Sequence, residues 1–159
     1  MKRYVISLLV FLAGFCLIIF VSGNSRGSIW NFIDIPTFFM VGLFPFLLVS
    51  VLFGFREMKA AYTTALQKEP DVDRISKSQV FFNTFGTAIW IMGMINALIG
   101  IVYALANLED RSTIGSDMAL ILLSIHYSCI LYLTMVLPFT LLLKKKQKTQ
   151  SAEEDRRVV

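Results

Sequence analysis

Four long stretches of this sequence, 4–21, 35–55, 80–105 and 118–143, contain no Asp, Glu, Lys or Arg. Charged residues make up 16% of the chain, well under the quarter usual for soluble domains. A water-soluble domain of 159 residues has too much surface to hide a composition that is 56% hydrophobic. Cysteine is scarce. Cys16 and Cys129 both fall inside apolar runs and make no zinc or redox spacing, so they read as small apolar side chains. Histidine occurs once, as His126, which leaves no second metal ligand beside it and no metal site to expect. There is no Gly-rich phosphate loop and no serine or cysteine with a base at a recognisable spacing. Neither an enzyme nor a cofactor is therefore expected, and a small-molecule transporter has no supporting motif.

What the sequence does have is length in its apolar runs. A spanning helix needs roughly 20 mainly apolar residues, and each of the four stretches is about that long or longer. The last two exceed a perpendicular span, which predicts tilt or extension beyond the lipid. The basic residues then set a direction. Lys2 and Arg3, five residues of the connection 56–79, and six residues of the tail after 143 make thirteen on one side. Arg26 and Arg111 are the two on the other. Basic residues collect on the cytoplasmic side, so both termini are expected there. The net charge of +4 comes mostly from these segments and gives no case for nucleic-acid binding. A cleaved signal peptide or a lipoprotein Cys16 is disfavoured: the first apolar run is long, Phe15 precedes the cysteine, and no small-x-small site follows.

The expected architecture is all-α, with four transmembrane helices over 1–143 and a cytoplasmic polar tail over 144–159. Residues 56–68 lack Gly and Pro and are expected to prolong the second helix; Glu69-Pro70-Asp71 ends it, and 73–77 leads into the third. The tail is expected to begin as a helix end with snorkelling lysines and to finish disordered. Asp34 and Asp117, at the outer ends of their helices, are expected to be caps. Pro36, Pro45 and Pro138 should kink or terminate helices.

Some residues within the spans can carry chemistry. His126 lies mid-span, where ionisable side chains are functional suspects, although a neutral imidazole hydrogen-bonded to a neighbouring helix is the favoured account. Gly86, Gly93, Ala97, Gly100 and Ala104 run along one side of the third helix. Such a stripe permits close helix approach, either within the chain or against a subunit or partner helix. Asn96, Ser124 and Ser128 add hydrogen-bonding groups that lipid tolerates.

The stretch 90–138 resembles the MotA branch of the MotA/TolQ/ExbB proton-channel family. The likeness rests on Trp90, Gly93, Asn96, Ala97 and Gly100, then Leu105-Ala106-Asn107-Leu108-Glu109-Asp110. Ile114-Gly115-Ser116-Asp117-Met118-Ala119, the run from Ile121 to Ser128, and Leu137-Pro138 continue it. Earlier, Ile33-Asp34-Ile35-Pro36-Thr37 and Phe55-Arg56-Glu57 look like the entry and exit of the MotA second helix. The resemblance implies a ring-forming homo-oligomer in the bacterial inner membrane. It also implies a single-span B-type partner, similar to MotB, TolR or ExbD, that supplies the titrating aspartate. Gly93, Asn96, Ala97, Gly100, Ser124, His126 and Ser128 would then form the pore or partner-helix face. Three departures stand against simple transfer. Ala97 occupies the third-helix threonine position, Ile125 replaces one fourth-helix threonine and Ser124 the other, and 56–79 is a short connection where MotA carries a large cytoplasmic region. A non-conducting scaffold or accessory subunit of the same fold is the alternative.

Overall fold

A computed structural model describes residues 34–67, 70–109 and 111–158. The first apolar run, with Cys16 and the disfavoured signal-peptide alternative, lies outside the described residues, as does Arg26. Within them the chain forms three long antiparallel helices: α1, Ile35–Leu66; α2, Val72–Ala106; and α3, which starts at Arg111 and continues to Val158. Each is long and apolar enough to cross a membrane. They carry the second, third and fourth apolar stretches.

Local chemistry explains where α1 starts. The Asp34 carboxylate accepts the Thr37 N–H at 2.9 Å, satisfying one of the free amides of the first turn. Pro36 follows within that turn, where its missing N–H costs nothing. Asp34 is therefore the cap expected of it. Asp117 is not: it lies inside the helix Arg111–Leu131, and its Oδ2 is buried with no hydrogen-bond partner. The helix begins seven residues earlier than the apolar run, so its free amides lie elsewhere.

Pro45 and Pro138 do not break their helices. Each comes directly after a π-helical turn, Phe39–Leu43 in α1 and Tyr132–Val136 in α3. The residue before each proline donates across five residues, Phe44 N–H to Phe39 O and Leu137 N–H to Tyr132 O. A widened turn moves the carbonyl that the proline ring would strike, and the helix resumes beyond it. Gly54 gives α1 a second irregularity: φ is 77° and ψ 152°, a backbone shape that side-chain-bearing residues avoid. It lies where the apolar stretch gives way to the polar continuation.

That continuation is as expected, since α1 runs to Leu66 and α2 begins at Val72. The tail differs from expectation. Helix persists through Val158 rather than fraying after the lysines. One reason is that it docks: Lys146 Nζ donates to the carbonyls of Thr64 at 3.1 Å and Ala65 at 2.7 Å, and also to that of Gln67. Those are end-of-helix carbonyls of α1, with no intrahelical donor of their own. Gln150 Nε2 donates to Pro70 O at 2.6 Å, and Gln79 Nε2 to Gln147 Oε1 at 3.0 Å. Beneath these contacts an aromatic cluster joins all three helices, with Tyr62 edge-on to Phe82 (5.0 Å) and Phe139 (4.8 Å), and Phe82 stacked on Phe139 (5.4 Å).

Candidate functional site: a polar seam between packed helices

The small-residue stripe of α2 faces α3 of the same chain. A side chain at Gly93 would overlap the Ser128 hydroxyl. A Cβ at Gly100 would lie 2.8 Å from Ile121 Cγ1, and one at Gly86 2.8 Å from Tyr132 Cε2. Gly93, Ala97 and Gly100 are all buried. Of the two uses open to this stripe, close approach within the chain is the one it serves here.

Polar groups converge on the same seam. The Asn96 amide donates through Nδ2 to Ser124 Oγ at 2.9 Å and to Thr37 Oγ1 at 3.1 Å. One side chain thus ties α2 to both α1 and α3, far from either end of its helix. Ser124 Oγ in turn donates to Leu120 O at 2.7 Å, and Ser128 Oγ to Ser124 O at 2.8 Å. Asn96, Ser124 and Ser128 are buried, as is Thr37. In an apolar surrounding an unmatched amide is costly, and here both Nδ2 bonds go to hydroxyls, of which that of Ser124 is itself anchored to Leu120 O.

Six of the seven residues singled out in sequence therefore share one buried seam: Gly93, Asn96, Ala97, Gly100, Ser124 and Ser128. His126 is apart from them, half-buried, with its ring 6.3 Å from that of Tyr127. Ile125, next to Ser124 in the chain, is 44% exposed. Two contributors escaped sequence reasoning. Thr37 reads there only as part of a helix start, and nothing local announces a bond across 59 positions. Tyr127 reads as an apolar ring, yet its hydroxyl accepts the Asp34 N–H at 3.0 Å, closing the start of α1 onto α3. Among the described residues no group of His, Cys, Asp or Glu is arranged to hold a metal ion.

Outside the apolar stretches, before Val80, Lys77 donates to Asp73 at 2.7 Å one helical turn away. That hydrogen bond, with the Asp73 charge behind it, raises the Lys77 ammonium above the usual lysine value. Its charge is thus already matched.

A model of the MotA/TolQ/ExbB proton channel family matches residues 54–155, which take in the polar end of α1, all of α2 and α3 up to its last turn. The chain belongs to that family. It is a family of channels rather than enzymes, and the three apolar helices fit a multi-pass membrane protein. Among curated proteins, the chain is 38% identical over 71 residues to "Motility protein A" of Borreliella burgdorferi (strain ATCC 35210 / DSM 4680 / CIP 102532 / B31), covering 45% of this chain and 27% of that protein. It is 35% identical over 79 residues to "Chemotaxis protein PomA" of Vibrio alginolyticus, covering 48% of this chain and 31% of that one. Less than a third of either relative is spanned.

Proposed function

We propose that this chain is the A-type, channel-forming subunit of a stator-like complex in the bacterial inner membrane, with protons as the ion moved. Family membership over 54–155 carries the reading. The absence of any carboxylate from the apolar stretches supports a division of labour: the titrating aspartate belongs to a single-span B-type partner. Several copies surround that partner, each with both termini in the cytoplasm and a fourth span from residues 4–21. The buried seam sets the distance and register between α2 and α3, so that their outer surfaces meet the partner helix as a fixed wall. Gly93, Asn96, Ala97, Gly100, Ser124 and Ser128 shape the wall from behind, and His126 stands closer to its surface.

The test is proton flux into proteoliposomes holding this chain with a single-span, aspartate-bearing protein encoded beside it. Flux that disappears when the partner aspartate becomes asparagine supports the proposal. Absence of both flux and stable co-purification overturns it.

A second reading, a non-conducting scaffold of the same fold, draws on Ala97 and Ile125 at positions where the family carries hydroxyls. If Ala97→Thr and Ile125→Thr together leave flux and phenotype unaltered, the scaffold reading gains.

A further inference from the structure

Where α1 and α2 leave their apolar stretches they separate, leaving an open cleft of about 690 Å³. Its inner end is closed by Phe53 and Phe81, edge to face at 5.5 Å. Ala60, Ala61 and Thr64 form the α1 wall, while the charged lining is Arg56, Glu57, Asp71, Asp73, Arg74 and Lys77. Lys77 and Asp73 satisfy each other. Among the described residues, Arg56 and Arg74 have no carboxylate partner, and Glu57 and Asp71 have no cation at bonding distance. Val80, apolar and exposed, is part of the lining, and the exposed Phe55 directly precedes the lining residue Arg56 in the chain.

We propose that this cleft seats the headgroup of an aminophospholipid from the adjoining leaflet. The phosphodiester would take the Arg56 and Arg74 guanidinium groups, whose fork geometry suits phosphate oxygens. The primary ammonium would take Glu57 and Asp71. Acyl chains would lie along Phe55 and Val80. A purely anionic ligand leaves the two free carboxylates facing its charge, and a free polar phosphoester has no use for the apolar rim. The free charges balance, which favours a zwitterion. Basic pockets between helices on the cytoplasmic side are the usual stations for phosphate headgroups. This inference does not depend on whether the chain conducts ions.

The experiment is native mass spectrometry of the full chain released from nanodiscs holding equal amounts of phosphatidylethanolamine, phosphatidylcholine and phosphatidylglycerol with matched acyl chains. Wild type is expected to retain phosphatidylethanolamine over the other two by on the order of tenfold, the scale of one charge-assisted hydrogen bond. Arg56→Gln with Arg74→Gln should lose bound phospholipid of every kind. Glu57→Gln with Asp71→Asn should lose the preference for the amine while keeping lipid. Circular dichroism shows whether either variant has kept its helices, and the wild-type ratios decide alone if one has not. Equal retention of the three lipids, or a preference for phosphatidylglycerol, overturns the proposal. So does displacement of the lipid by millimolar soluble phosphoethanolamine, which would make the ligand a free phosphoester.

Discussion

Asn96 is the residue on which the seam turns. Its Nδ2 makes two bonds, to Thr37 and to Ser124, and both acceptors remain if the amide is removed. Cross-helix hydrogen bonds in membrane proteins average about 0.6 kcal/mol, so Asn96→Ala should destabilise the bundle by about 1 kcal/mol, read from unfolding in a lipid bicelle. An unchanged midpoint would show that the seam is held by packing alone. Gly93 makes a stronger demand, because any Cβ there meets the Ser128 hydroxyl. Gly93→Val should cost about 1–3 kcal/mol through forced separation of α2 and α3. Ser128→Ala in the same chain should return part of that loss, and a double-mutant cycle measures how much. If the two substitutions add without coupling, the contact is not the one described. At this scale the sequence was informative about residue type and silent about direction. The small stripe was visible at helical spacing, but the same stripe suits a partner helix or the next helix of one chain. Only the position of Ser128 separates them.

At the scale of elements, the connection between α1 and α2 shows what sequence could and could not give. The helix-breaking Glu69-Pro70-Asp71 and the uninterrupted run before it were legible, and the ends at Leu66 and Val72 follow from them. The capping of α1 by a lysine 81 positions beyond Ala65 was not, because Lys146 belongs to a run of three lysines that read as solvated charge. Nor was the continuity of helix through both prolines, since a π turn depends on a single displaced bond rather than on composition. Lys146→Met leaves the carbonyls of Thr64, Ala65 and Gln67 without their donor. Amide exchange across 64–67 and 144–150 should then quicken by about tenfold, equivalent to a typical loss near 1.4 kcal/mol. Lys145→Met, one residue away and exposed, is the control and should change little. Gly54 supplies the matching prediction for α1. With φ at 77° and open space around it, Gly54→Ala meets no neighbour, yet should cost about 1–3 kcal/mol from backbone conformation alone. A neutral result would mean that the bend straightens at little cost.

For the whole molecule, the decisive quantity is the side of the membrane on which each connection lies. Thirteen of fifteen basic residues fall in alternate segments, and translocating a lysine or arginine through lipid costs several kcal/mol. The helices α1, α2 and α3 alternate in direction whichever end faces the cytoplasm. Single cysteines separate the two possibilities. In a chain with Cys16 and Cys129 replaced, Arg74→Cys should react with an impermeant maleimide only after the inner membrane is opened. Arg26→Cys should react in intact spheroplasts. Lys148→Cys on α3 should follow Arg74, because Lys146 and Gln150 hold that helix against the end of α1 and the start of α2. Reaction of positions 26 and 74 from the same side would remove a span from between them. The four-span architecture and the inward wall of α2 and α3 would fall together.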